Sequence, residues 1–427
     1  MLNRIKELIQ NKRVLILGYG KEGQSTYRIL QQIRAYSQLD IADKAINDHD
    51  ISSEHIFLSG SNYMDSLDTY DVVFKSPGIV LPKNPTDYSC SFTSQTDIFL
   101  NEYDSQTIGI TGTKGKSTVA TLLYHVLNTN GFDCLLAGNI GIPVFDIFDK
   151  IMPKTVVVLE LSCHQLEYCN HSPATAMLLN IFEDHLDHYG SFENYARAKA
   201  NIYKYQSAND TLFCHSDYLP SKAECFSNIM PLNSSNMPFG NLELMAGVKL
   251  RGVHNLLNCA FVYEVCKTFG VSKRDFIISL QSYNPLPHRM EFIGEKSGVD
   301  YYDDSISTTV ESAISAVKSI PNAKVILLGG MDRGIDYSEL VKFISQSNLS
   351  HVILMYESGK KIYDLMQKLP VVIPEIIYAD DLYNATKLAQ KYAKSGTSCI
   401  LSPASASYGD FKNFEERGNV FKKLIFS

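Results

Sequence analysis

The sequence predicts an α/β protein of three consecutive domains: a Rossmann-like N-terminal domain, a central P-loop ATPase domain and a Rossmann-like C-terminal domain. Three observations predict it. Residues 108–118 read Ile-Gly-Ile-Thr-Gly-Thr-Lys-Gly-Lys-Ser-Thr, apolar β-formers running through a Thr/Gly loop into a helical stretch. Such a loop turns backbone N–H groups and a helix N-terminus toward one point, which suits phosphate. Ahead of it, Gly18-Tyr19-Gly20-Lys21-Glu22-Gly23 lies between a β-rich run and a helical run, the context of a nucleotide-binding βαβ unit. Beyond residue 287, apolar runs alternate with helical segments to the end of the chain. At 427 residues the chain can bury several cores.

In chain order, residues 1–13 read as a charged amphipathic helix, not a signal peptide. Residues 14–17 form a strand and 24–34 a helix, with the glycine loop between them. Asp40 and Asp43 sit near the end of the next strand, where a ribose-binding acid belongs. Taken alone, this loop would read as a dinucleotide site or as an ordinary tight βα turn in equal measure. Residues 72–74 are a strand whose carboxyl end carries Lys75-Ser76-Pro77-Gly78, and open sheets bind ligands at such ends. This domain covers residues 1–97.

The second domain covers 98–286. Strict P-loop spacing would put its first Gly at Ile110, so Gly112 must do that bending. In Gly112-Thr113-Lys114-Gly115-Lys116-Ser117-Thr118, Lys116 would reach the outer phosphates, and Ser117 or Thr118 could hold Mg²⁺. Strands follow at 155–159, running into Glu160, and at 176–180; residues 233–245 read as a loop and 255–269 as a helix. Pro285 and Pro287 then break the chain. The third domain, 287–427, has strands at 299–302, 324–328, 351–355 and 399–401, and helices at 337–346 and 380–394.

Composition excludes several classes. The net charge of −7 argues against nucleic acid as a partner. No apolar run nears the about 20 residues a membrane span needs, so no membrane insertion is expected. Nine Cys without a C-x-x-C pair suggest reduced thiols in a cytoplasmic protein, with no disulfide or structural metal.

Clusters that can carry chemistry fall at predicted strand ends. Residues 180–189 pack Glu183, Asp184, Asp187, His185 and His188, and with Glu160 they suit Mg²⁺ beside phosphate; alone they would read as a solvated acidic loop. Asn255 and Asn258 share one helix face and can read an adenine edge or cap the helix. Arg289 can clamp phosphate or simply lie on the surface. Asp303-Asp304-Ser305, residues 329–334 and residues 402–407 are either one crevice or three ordinary turns.

Together, 111–118, Gly138-Asn139-Ile140-Gly141, Glu160-Leu-Ser-Cys-His-Gln165, Glu183-Asp184-His185, His254-Asn255 and Pro287-His288-Arg289 resemble the Mur ligases of bacterial peptidoglycan synthesis over essentially the whole chain. The glycine loop, Lys75-Ser-Pro-Gly78 and residues 402–414 are similar to the D-glutamate-adding branch. The resemblance implies an ATP- and Mg²⁺-dependent ligase, acting as a monomer, that joins D-glutamate to UDP-N-acetylmuramoyl-L-alanine through an acyl phosphate. It assigns the N-terminal domain to uridine diphosphate, through Gly18, Gly20, Gly23, Asp43, Ser76 and Gly78. Asn139, Ser162 and Gln165 would hold the muramoyl-alanyl arm. Lys116 and Arg289 would neutralise the γ-phosphate, and Asn255, Asn258 and Asp304 would handle adenosine. Ser117, Glu160, His185 and a carbamylated Lys199 would hold Mg²⁺. Thr308, Arg333, Ser407 and Phe414 would form the amino-acid pocket. Two departures stand out: Ile306 where relatives often have Lys, and Arg333 where they commonly have Lys. A hinge near 285–287 is expected. The competing readings are a ligase for another amino acid, a folate-type synthetase, an NAD-dependent oxidoreductase and a non-catalytic nucleotide sensor.

Overall fold

The computed structural model describes residues 1–44, 54–233, 247–250, 253–370 and 374–427. Among them, β1 (Arg13–Leu17), β2 (Gln38–Asp43), β3 (Phe57–Ser59), β4 (Val72–Lys75) and β5 (Ser91–Thr93) form a parallel sheet in the order β3-β2-β1-β4-β5. Val14 and Ile16 of β1 face one core layer, Leu15 and Leu17 the other. That is why the strand reads as an unbroken apolar run.

The second sheet is also parallel. It holds β6 (Thr107–Thr111), β7 (Cys134–Gly138), β8 (Val156–Glu160), β9 (Thr175–Leu178), β10 (Thr211–His215) and β11 (Asn228–Leu232), ordered β11-β10-β9-β6-β8-β7. Central β6 is fully buried and carries its loop out between those of β8 and β9. The first two sheets share one core, bridged by Phe99 and Leu100 of the helix Gln95–Tyr103. They belong to one compact unit together with Leu256–Ser279.

A second unit, which includes Leu280–Ser427, holds the third sheet. Its strands are β12 (Glu291–Lys296), β13 (Val299–Asp303), β14 (Ala323–Leu328), β15 (His351–Met355), β16 (Glu375–Ala379) and β17 (Ser398–Leu401), ordered β12-β13-β17-β14-β15-β16. All pairings are parallel except the β12–β13 hairpin. Adjacent β13, β17 and β14 present the three polar or glycine-rich loops at their carboxyl ends.

Some expected elements differ. The first helix spans only Leu2–Ile9, because Arg13 already pairs with Gln38 in the sheet. The helix after the glycine loop starts at Lys21, so Gly23 lies inside its first turn. The loop expected at 233–245 falls, apart from Asn233, outside the described residues. No helix among the described residues is long and apolar enough to cross a membrane.

Candidate active site

The loop after β6 is built by the strand beside it. Thr113 N donates to Asn180 O at 2.9 Å, Lys114 N donates to Asn180 Oδ1 at 2.9 Å, and Asn180 Nδ2 returns a bond to Lys114 O at 3.0 Å. Thr113 Oγ1 is 2.9 Å from Tyr195 Oη. Gly115 caps the helix Lys116–Thr129 with φ 90°, and a Cβ there would sit 2.9 Å from Asn258 Oδ1. Only glycine meets both demands. Asn258 therefore packs against the loop; Asn255 is buried near the start of its own helix. Ser117 and the buried Thr118 open the first turn.

Two ammonium groups converge on one carbonyl. Lys116 Nζ donates to Gly112 O at 2.9 Å and to Thr113 O at 3.1 Å, and Lys199 Nζ donates to the same Gly112 O at 2.9 Å. Lys199, from the helix Phe192–Ala200, is buried, with its ammonium 4.8 Å from the Tyr195 ring centre. Burial first, and the Lys116 charge second, push its pKa down to about 7.

Glu160 ends β8 fully buried. One oxygen accepts from Asn139 Nδ2 at 2.7 Å, while Oε2 is buried with no hydrogen-bond partner. An orphaned carboxylate oxygen costs desolvation energy unless a cation or donor joins it, so this group fits a metal ligand. His185 is half exposed in a left-handed conformation, φ 53°, its backbone N–H bonded to Asp184 Oδ1. Its ring lies 4.9 Å from that of His164, whose pKa burial lowers to about 4 with help from His188 and His185.

In the first sheet, Gly18 (φ 92°) and Gly20 turn the chain after β1. A Cβ on Gly23 would lie 2.0 Å from Gly18 O, so this glycine is required by close packing of helix on loop. Asp43 Oδ2 accepts from Tyr19 N at 2.6 Å at the loop's rim. Asp40, the other candidate acid, is buried and bonded to Tyr70 Oη, Ile56 N and the Gln38 amide; its role is structural. Ser76 Oγ donates to Gly18 O at 2.7 Å, and Gly78 is exposed with φ 81°. Ser162 and Gln165 form a capping box, and Gln165 Nε2 also reaches Glu22 Oε1 at 2.7 Å. In this structure Asn139, Ser76 and Gln165 thus spend their side chains on protein partners. Sequence reasoning placed Lys75 in the turn after β4 but gave it no role of its own; it is buried against Tyr168 with its pKa lowered to about 8 by burial, partly offset by Glu167 and Glu22. It also missed Asn180 and Tyr195 as supports of the glycine loop after β6.

In the other unit, Asp304 is buried, accepting from Ser402 Oγ at 2.7 Å and Met290 N at 3.1 Å. Burial raises its pKa to about 7 against those bonds and the Arg289 charge. Arg289 has its Nε buried without a partner. Ser407 is buried, Phe414 partly so with its ring 6.1 Å from His288, while Thr308 and Arg333 are exposed. The Gly329–Gly330 loop meets the 402–407 loop through Met331 N to Ala406 O at 3.0 Å, and Lys361 Nζ lies 3.4 Å from Asp332 in the same loop. Arg417, which sequence reasoning missed, is fully buried and joins Ser305 O to Ser405 O, at 2.7 and 3.0 Å. Its signal is weak: an Arg inside an amphipathic helix reads as surface.

A glycine loop with two lysines, an orphaned buried carboxylate at the next strand end and a third sheet with polar loops define a family of ATP-using ligases. The chain belongs to the Mur ligase family: the Mur ligase middle domain matches residues 110–231 and the Mur ligase glutamate ligase domain residues 288–405. It is 30% identical to the UDP-N-acetylmuramoylalanine–D-glutamate ligase of Clostridium tetani, over 99% of this chain and 98% of that one. It is 31% identical to the protein of the same name from Acetivibrio thermocellus, over 100% and 98%. The fold is shared with a MurF ligase of Thermotoga maritima solved in complex with ADP, at TM-score 0.59 and 18% identity over 99% of this chain and 96% of that one.

Proposed function

We propose that this chain is the ATP-dependent ligase that adds D-glutamate to UDP-N-acetylmuramoyl-L-alanine in peptidoglycan precursor synthesis, acting as a cytoplasmic monomer. The observation that carries the reading is the convergence of Lys116 and Lys199 on the Gly112 carbonyl of a phosphate-type loop. The relatives' shared name, over nearly the whole chain, supports the acceptor. Residues 1–97 bind the uridine diphosphate, 98–286 the ATP and 287–427 the amino acid.

A carboxylate is a poor acyl donor and repels the triphosphate it must attack. Lys116 and Arg289 offset that repulsion, and the N–H groups of residues 112–118 hold the phosphates in line. Mg²⁺ held by Ser117, Glu160, His185 and carbamylated Lys199 would supply further charge neutralisation when bound. Lys199 suits carbamylation because burial lowers its pKa to about 7, so a sizeable share of the amine is neutral near physiological pH: the neutral nitrogen adds to CO₂, a proton leaves to solvent, and the side chain ends in an anionic carbamate. The alanyl carboxylate takes the γ-phosphoryl group and ADP departs. The deprotonated amine of D-glutamate then attacks the acyl carbon, forming C–N and breaking C–O to release phosphate. Arg333, Thr308, Ser407 and Phe414 orient the glutamate. Arg333 can grip a carboxylate bidentately where relatives use Lys, and Lys361 adds a cation to its loop. Asn255, Asn258 and Asp304 hold adenosine; Gly18, Gly20, Gly23, Asp43, Ser76 and Gly78 hold the uridine diphosphate; Asn139, Ser162 and Gln165 hold the arm between.

The test is substrate labelled with ¹⁸O in its alanyl carboxylate. The mechanism predicts one labelled oxygen in the released phosphate. Unlabelled phosphate would exclude an acyl phosphate.

A further inference from the structure

The short helix Cys163–Leu166 and its C-cap residue Glu167 place His164 and Glu167 three residues apart, on one face. The helix Leu186–Tyr189 brings His188 to meet them. Nε2 of His188 lies 3.0 Å from Glu167 Oε2, and the His164 and His188 rings stand 4.4 Å apart between centres. One donor atom from each of the three lies within 4.8 Å of the others. A Glu167–His188 hydrogen bond accounts for that pair alone. It does not account for a second imidazole brought against both, where it gains no carboxylate of its own.

We propose that His164, Glu167 and His188 form a binding site for a divalent transition-metal ion of the zinc class. The donor set is two imidazoles and one carboxylate, which borderline ions take with an open position for water, and which Mg²⁺, preferring oxygen, does not. The surroundings orient the ligands. Tyr189 Oη lies 3.3 Å from His164 Nδ1, a contact that fixes the orientation of that ring. Asn201 Nδ2 holds the carbonyls of Leu166 and Glu167, at 2.8 and 3.2 Å. Glu167 and His188 have side chains only 17% and 9% exposed, so the set is held more firmly than surface side chains are. The inference stands on this geometry and not on the ligase reading. Cys163 and His185 also converge on His164, forming an alternative set that the test must separate.

The full chain, freed of metal with a chelator, is titrated with Zn²⁺ against a chromophoric competitor in excess Mg²⁺. The expected result is one Zn²⁺ per chain that Mg²⁺ does not displace, weakened about tenfold or more in both His188→Gln and Glu167→Gln. Cys163→Ser should leave the affinity unchanged. Melting curves establish that each variant is folded. Equal affinity in wild type and both variants would overturn the proposal. So would loss in Cys163→Ser with retention in Glu167→Gln.

Discussion

Lys199 offers a prediction in which stability and function move in opposite directions. Its side chain is 1% exposed, it shares its acceptor with Lys116, and among the described residues no carboxylate lies within ion-pair distance of it. Burial takes its pKa from 10.5 to about 7. Below pH 7 both folded and unfolded chains carry the proton, and the folded chain bears the full cost of a buried charge. Between about pH 7 and 10.5 the unfolded chain holds the proton and the folded chain does not, so stability rises with pH. Above that both are neutral and the cost is gone. At about 1.4 kcal/mol for each tenfold change in proton affinity, the cost at low pH is about 5 kcal/mol. Lys199→Met keeps the length of the side chain and removes the charge, while losing one hydrogen bond worth about 1 kcal/mol. At pH 6 the variant should therefore be more stable than wild type by about 4 kcal/mol, and near pH 10 that advantage should vanish. Urea unfolding followed by circular dichroism measures it, since the chain has no Trp to report by fluorescence. Buffers free of CO₂ keep the amine unmodified. A difference between the proteins that does not change with pH would refute the buried-charge reasoning. The same variant should lose ligase activity.

Three further variants test other parts. Glu160→Gln keeps the acceptor for Asn139 but removes the charge beside the orphaned oxygen; the Mg²⁺ concentration for half-maximal rate should rise about tenfold or more, with melting little changed. Gly23→Ala drives a Cβ to 2.0 Å from the Gly18 carbonyl, a backbone contact that no rotamer relieves. It should cost about 1–3 kcal/mol in urea unfolding and weaken UDP-substrate binding measured by calorimetry. Arg333→Ala should raise the KM for D-glutamate by an order of magnitude or more, as expected for loss of a charge-assisted bond of about 1.5–3 kcal/mol, while Arg333→Lys, which keeps the charge but not the two-pronged grip, should fall between the two.

The α/β class and the strand–glycine loop–helix units were legible because their signals are local. β1 and β6 are short apolar runs emptying into glycines, and the helices behind them start within a few residues. Three-residue strands such as β3 and β5 are too short to display a period and are held by their neighbours. The β12–β13 hairpin had a signal that could have been used: Ser297-Gly298, both at positive φ, is a two-residue turn of the hairpin type. The candidate site was legible as a set of residues but not as a set of bonds. Lys199 and Gly112 are 87 residues apart, and nothing local announces that one ammonium will share the other's carbonyl. Asp40 and Asp43 look alike in sequence; tertiary burial makes one a structural anchor and leaves the other at the loop. Asn139 and Gln165 were read toward ligand, and here they hold Glu160 and Glu22.

The acceptor is decided by phosphate release from ATP with UDP-N-acetylmuramoyl-L-alanine, offering D-Glu, L-Glu, L-Lys and meso-diaminopimelate in turn. Release is expected with D-Glu alone, which would show that Arg333 serves without a lysine at the position of Ile306. Release with another of the four and not with D-Glu would contradict the acceptor. Silence with all four, from protein that binds ATP, would contradict the ligase.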